Sequence, residues 1–180
     1  MGVRGTMLSL SEISVIEEAD SLGVQGLGVA LDKLLERWDH GLRDDETFIR
    51  IVFLKWYSIT EPTWYNGLPN DSSAESLADF IEKRINSSYL TSEAKFIIGI
   101  LSGNFPWAFG DEIKWKEQSN KFLLEVESQE SLVFKNWKYL KGQSKEANDL
   151  KKDIYKELHA RFKGRGAMGS YLLHILNRIK

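Results

Sequence analysis

The sequence predicts an all-α protein, a single-domain irregular bundle of about eight or nine helices over residues 1–180. Three observations favour this fold class. Leu, Lys and Glu, which are good helix formers, supply 54 of the 180 residues. Proline occurs only three times, at Pro62, Pro69 and Pro106, in two short loop-like stretches. The long stretches without proline carry apolar residues at the 3.6-residue spacing of a helix.

Start signals and apolar spacing place two helices at the beginning of the chain. The first spans about 10–21 after Ser9-Leu10-Ser11-Glu12, which has the form of a capping box. The second spans about 25–39 and is closed by Gly41. The residues expected to point inward are Ile13, Ile16, Leu27, Leu31, Leu34, Leu35 and Trp38.

A third helix begins after Asp44 or Asp45 and ends near residue 59. Apolar residues surround this helix almost completely, and only Arg50 and Lys55 interrupt them. A helix that is apolar nearly all round is buried on most sides. We therefore expect the third helix to be the central one.

The fourth and fifth helices span about 73–86 and 92–102, and Ser72-Ser73-Ala74-Glu75 forms a second capping box. Aromatic loops precede the fourth helix and follow the fifth. The residues expected to point inward are Leu77, Phe80, Ile81, Ile85, Phe96, Ile97, Ile100 and Leu101.

Between residues 112 and 141 the apolar spacing continues as a helical stripe, with Asp111 as N-cap and a break near 128–131. The alternative is an α+β fold with a small hairpin near 122–140. The intervening Glu-Ser-Gln-Glu-Ser lacks the turn chemistry of a hairpin, so the helical interpretation is favoured. The stripe consists of Trp115, Phe122, Val126, Val133, Trp137 and Leu140.

Two further helices are predicted in the basic C-terminal segment, residues 144–180. Ser144 caps the first of them, which runs to about 162, and the second starts at Ser170. The inward residues of the first are expected to be Ala147, Leu150, Ile154, Leu158 and Phe162.

The net charge of −2 is the sum of a negative part and a positive part of the chain. Residues 1–130 hold 12 Lys/Arg and 22 Asp/Glu, a balance of −10, whereas residues 131–180 hold 12 and 4, a balance of +8. On the helix predicted after Ser144, four lysines share one side, opposite the apolar residues. With Arg165 and Gly166 they form the candidate anion site: Lys145, Lys152, Lys156, Lys163, Arg165 and Gly166.

Three interpretations of this basic stripe are open. It is an ordinary solvated helix face, a contact with acidic helices of this chain or of a second copy, or a surface for nucleic acid or another polyanion. No recognition helix, zinc finger or aromatic RNA-binding strand supports nucleic acid specifically.

A glycine-rich turn, 163–170, contains the spacing Gly-x-Gly-x-x-Gly at Gly164, Gly166 and Gly169. A dinucleotide fold requires that spacing after a strand, and here it follows a helix. Two interpretations are left: an ordinary interhelix turn, with Gly164 as C-cap and Ser170 as N-cap, or an anion site at a helix N-terminus.

The two aromatic loops offer a second candidate site: Trp64, Tyr65, Asn66, Phe105 and Trp107. Such rings stack on sugars, bases or peptide side chains, and they also plug the ends of helical cores. The acidic pairs Glu17/Glu18 and Asp44/Asp45 sit at helix ends, where a solvated or capping role suffices.

No catalytic motif, metal-ligand spacing or cofactor signature occurs, and the chain has no cysteine. No apolar run has the length of a signal peptide or a membrane helix, which predicts a cytoplasmic protein without membrane contact. We expect a non-catalytic interaction or regulatory protein, with no cofactor, that binds a protein partner or itself through its charge-segregated surface. The alternatives are nucleic-acid binding by the basic segment and a small-molecule binder or enzyme using the aromatic loops.

Overall fold

The computed structural model describes residues 7–19, 26–61, 67–68 and 76–177. Within these ranges the chain forms ten α-helices, eight of them with ten or more residues, and no strand. The prediction of an all-α bundle is confirmed. The hairpin alternative near 122–140 is wrong, because that stretch is helical. The helices are α1 (Leu10–Ala19), α2 (Gly26–Asp39), α3 (Asp45–Thr60), α4 (Leu77–Ser87), α5 (Ser92–Asn104), α6 (Glu112–Glu127), α7 (Leu132–Lys135), α8 (Trp137–Leu140), α9 (Lys151–Phe162) and α10 (Gly166–Leu176).

Helix α3 is the central helix, as predicted. The Asp44 carboxylate caps it by accepting a hydrogen bond of 2.9 Å from the backbone N–H of Thr47. Every residue from Thr47 to Trp56 is buried. α3 packs against α2, α4, α5 and α10, and buried residues from all ten helices join one hydrophobic cluster. The burial of this single cluster is the main stabilising contribution to the fold.

The predicted starts of α1 and α6 are confirmed. Ser9 and Glu12 form the reciprocal capping box, with the Ser9 N–H donating to the Glu12 carboxylate at 2.7 Å and the Glu12 N–H donating to Ser9 Oγ at 3.3 Å. Asp111 accepts from the backbone N–H of Lys114 at 3.0 Å. These ends were predictable because the capping signal is local.

Helix α4 begins later than predicted. Ser76 is its N-cap, accepting a hydrogen bond of 3.1 Å from the N–H of Asp79. The capping box predicted at 72–75 lies outside the described residues. Ile85, which was expected to point inward, is 38% exposed near the end of the helix.

The basic segment departs most from the prediction. α9 begins at Lys151, not at Ser144, because Ala147 adopts a left-handed φ of 72° and a short 3₁₀ turn, Asn148–Leu150, follows it. Leu150 is consequently 42% exposed, although it was expected to point inward. Ile154, Leu158 and Phe162 are fully buried, as the apolar spacing predicts.

Helix α10 begins at Gly166, four residues before the predicted N-cap Ser170. Gly164, with φ 77°, does end α9 as expected. The turn between the helices is therefore only a few residues long. Ser170 is not needed as a cap, because a carboxylate from another helix binds the start of α10.

Candidate functional site

The structure shows only part of the stripe of lysines that the sequence predicts. Lys152 and Lys156 lie on α9, Lys163 follows its last residue, and all three side chains are exposed. They face away from the buried side of α9, so we call these three residues the lysine face. Lys145 is also exposed, but it precedes the break at Ala147 and does not share the helical alignment.

The lysines of this face make no ion pair with any carboxylate that the structure describes. Asp149, shortly before Lys152, and Asp153, between Lys152 and Lys156, are exposed as well. The face is therefore positive but not uniformly so. It can present long, hydrated ammonium groups to a partner without breaking internal contacts.

Arg165, which sequence reasoning assigned to the same anion site, is bound inside the protein. Its guanidinium donates to both carboxylate oxygens of Glu46 and pairs with Glu93 at 2.6 Å. Burial opposes its charged form, but Glu46 and Glu93 outweigh burial and raise the pKa of Arg165. These contacts join the C-terminal helices to α3 and α5.

Arg161 belongs to the same set of contacts. It pairs with Glu93 at 2.9 Å and with Glu157 at 3.1 Å. Glu157 also accepts from the backbone N–H of Leu132 at 2.9 Å and from the Ser131 hydroxyl at 2.5 Å, so it caps α7. We call these five residues the inner network: Glu46, Glu93, Glu157, Arg161 and Arg165.

The start of α10 holds an anion, and the anion is the protein's own Glu17. The Glu17 carboxylate accepts from the backbone N–H of Ala167 at 2.6 Å, and Arg50 binds its other oxygen at 2.5 and 3.2 Å. Gly166 has a φ of 60°, and a Cβ there would overlap the Glu17 carboxylate. The glycine therefore permits a close approach of carboxylate and backbone.

Glu17 was given a solvated or capping role at a helix end; it is only 3% exposed, and sequence reasoning missed that it binds the start of the distant helix α10. Burial raises its pKa, while the contacts with Arg50 and Ala167 act in the opposite direction. The available signal was Arg50, a charged residue in the middle of the helix predicted to be buried on most sides. A buried cation requires a buried partner, but the sequence does not say which one.

The aromatic candidates are divided between core and surface. Trp64, Tyr65 and Asn66 lie outside the described residues. In the second loop Phe105 is half-buried against Trp56, with ring centroids 5.6 Å apart, and Trp107 is 48% exposed.

Two neighbouring hollows adjoin α10. The first is a cleft of about 420 Å³ between α1, α2, α3 and α10. The second, of about 640 Å³, meets it at Tyr171 and His174 and includes the candidate Phe105. The apolar and aromatic residues that line the first cleft are Leu27, Phe53, Tyr57 and Tyr171. Its polar side chains are Glu17, Glu18, Ser170 and His174.

Rings from two helices pack together along the wall of the first cleft. The ring of Phe53 lies 5.6 Å from those of both Tyr57 and Tyr171, and the two tyrosines meet edge to face at 6.4 Å. Sequence reasoning did not find this cluster, because α3 and α10 are far apart in the chain. The spacing of Phe53 and Tyr57 indicates only a shared helix face.

The described part of the chain contains no group of three His, Asp or Glu side chains placed to hold a metal ion. None of its helices combines the length and the apolar character needed to cross a membrane. Comparison with known proteins finds no matching family model, no similar curated protein and no similar solved structure.

Proposed function

We propose that this protein binds an acidic macromolecular partner, in the first instance another protein, through the lysine face of α9. One observation carries the proposal. The lysine face is exposed and without ion pairs among the described residues, whereas Arg161 and Arg165 in the same segment are held by internal carboxylates. The inner cations stabilise the fold, and the outer ones are available for contact.

The chemistry of the face favours an acidic protein surface over nucleic acid. Arg is the residue that reads phosphates with two hydrogen bonds, and Arg161 and Arg165 are already engaged by Glu93 and Glu46. Asp153 lies between Lys152 and Lys156 along the chain and Asp149 shortly before them, and both would repel a continuous row of phosphates. A protein partner can place carboxylates opposite the lysines alone.

A second copy of this chain is one such partner. Residues 1–130 carry a balance of −10 against +8 for residues 131–180, so two copies offer each other opposite charge. Sedimentation velocity at increasing protein concentration and at two salt concentrations tests this version. Association that weakens with salt, and that charge-neutral variants of the lysine face abolish, would identify self-association.

The general proposal is tested with defined probes. A labelled peptide whose glutamates are spaced by glycine and serine, single-stranded DNA and duplex DNA of similar total charge are titrated with the full chain at low and moderate salt. We expect the peptide to bind more tightly than either DNA. The triple variant Lys152→Gln, Lys156→Gln and Lys163→Gln should weaken that binding about tenfold, equivalent to about 1.4 kcal/mol.

The matched control is a second triple variant with the same charge change at exposed lysines outside α9: Lys116→Gln, Lys121→Gln and Lys135→Gln. It should retain nearly all binding. Equal losses in the two triple variants would mean that only net charge matters, and the proposed surface would be rejected. Tighter binding to either DNA, lost specifically in the first variant, would replace the protein partner with a nucleic acid.

A further inference from the structure

We propose that the first cleft, between α1, α2, α3 and α10, binds a small organic cation that carries an apolar or aromatic body. The proposal concerns a different part of the molecule from the lysine face and does not depend on it. Its basis is the size of the cleft, the rings along its wall and the carboxylates beside it.

The cleft has the dimensions of a ligand site. Its volume of about 420 Å³ falls within the range of roughly 300–1,000 Å³ that small-molecule sites occupy. Small residues of α10 keep it open, since Gly166, Ala167 and Ser170 contribute little side-chain volume on this side. A ligand with one ring and a short chain would fit that space.

The aromatic wall supplies the first part of the specificity. Phe53, Tyr57 and Tyr171 line the cleft and pack against one another at interplanar angles of 31°, 49° and 79°. A ring face attracts a positive charge, and an edge attracts the face of another ring. The wall therefore suits a molecule that combines an ammonium group with a ring.

Carboxylates supply the second part of the specificity. Glu17 and Glu18 are consecutive residues of α1, and both line the cleft. Arg50 compensates the charge of Glu17, with its nitrogens directed to Glu17 and to the carbonyl of Leu10. Glu18 lines the cleft and is exposed, and a carboxylate there favours a ligand cation and disfavours an anion.

The test is an NMR titration of the full chain with three probes that share a phenylethyl group: 2-phenylethylamine, the neutral 2-phenylethanol and the anionic 3-phenylpropionate. We expect the amine to bind at least about fivefold more tightly than the alcohol, as for one cation–aromatic contact. The acid should bind most weakly. The shifted amides should include those of Ala167 and Ser170.

Two variants locate the binding. Ser170→Trp fills the cleft from an exposed position, and it should abolish binding of the amine while leaving the fold intact. Ser87→Trp, at an exposed serine of α4, is its control. Glu18→Gln should reduce the preference for amine over alcohol, and Glu112→Gln, at an exposed residue of α6, should not.

Several results would overturn the proposal. They are equal affinity for the three probes, absence of binding by the amine, or binding of the amine by Ser170→Trp as tightly as by the unchanged chain. Should Ser170→Trp fail to fold, the pair Glu18→Gln and Glu112→Gln decides the question. A preference for the amine that survives Glu18→Gln would then contradict the proposed role of the carboxylate.

Discussion

The arginines of the inner network and the lysines of the lysine face belong to the same basic segment, yet they lie in opposite environments. Arg165 has an 18% exposed side chain and is held by Glu46 and Glu93. Lys163, two residues earlier, is exposed and has no ion pair among the described residues. The positive balance of a segment therefore does not measure how much charge it can offer a partner.

The chemistry of the Arg and Lys side chains explains why the arginines are partly buried and the lysines are exposed. The planar guanidinium of Arg makes several directed hydrogen bonds and tolerates partial burial. The ammonium group of Lys is compact and strongly hydrated, so it stays on the solvent side of a helix. In this protein, the two arginines of the described basic segment connect helices, while the lysine face remains outside.

Replacement of Arg50 gives the largest expected effect, since it tests the most buried charge. Arg50→Met leaves the Glu17 carboxylate buried without its cation and should cost about 3–5 kcal/mol of unfolding free energy. Urea denaturation of the variant measures the loss. The double variant Glu17→Gln with Arg50→Met should recover part of it, because the uncharged amide oxygen still accepts from the N–H of Ala167. A loss below about 1 kcal/mol for Arg50→Met would contradict the arrangement.

The next effect comes from the glycine that admits Glu17. Gly166→Ala should cost about 3 kcal/mol, because the new Cβ overlaps a carboxylate that Arg50 holds in place. Gly164→Ala is the matched control, since Gly164 also has positive φ but open space around it, and it should cost only about 1 kcal/mol. Thermal denaturation of both variants checks the difference. Equal losses would show that only backbone strain matters.

Acid should weaken the inner network through Glu157. Burial acts to raise the pKa of Glu157, but hydrogen bonds from Ser131, Leu132 and Arg161 prevail and lower it. The carboxylate therefore stabilises the fold above its unfolded pKa of about 4.3, and this contribution is lost as the pH falls through the lower folded value.

Glu157→Gln should cost about 1–3 kcal/mol at neutral pH, and the difference from the unchanged chain should shrink below about pH 4.5. Urea midpoints measured as a function of pH test this, with Glu130→Gln at an exposed site as control. A difference that stays constant down to low pH would exclude ionised Glu157 as the source of the stabilisation.

The sequence predicted the features of the fold that depend on neighbours in the chain. Apolar spacing located α3 and the buried side of α9, and local signals located the caps at Ser9 and Asp111. The start of α9 was wrong because Ala147 adopts a backbone conformation that its residue type does not indicate. The start of α10 was wrong because its cap, Glu17, comes from the other end of the chain.

The candidate sites also divide into features that depend on neighbours in the chain and features that depend on distant residues. Exposure of Lys152, Lys156 and Lys163 agrees with the helical spacing. The internal pairing of Arg165 could not be read from the sequence, because Glu46 and Glu93 approach it only in the folded chain. The first cleft likewise requires α3 and α10 to meet, and no local sequence pattern indicates that contact.

The central claim is that the basic segment has inner cations that stabilise the fold and outer cations that do not. The most direct test is the unfolding free energy of Arg165→Met measured beside that of Lys163→Met, in the same buffer and by urea denaturation. Arg165→Met should lose about 1–3 kcal/mol, because it leaves the partly buried Glu46 carboxylate without an ion pair among the described residues and leaves Glu93 with Arg161 alone. Lys163→Met should stay within about 0.5 kcal/mol of the unchanged chain. Equal effects of the two substitutions would contradict the division.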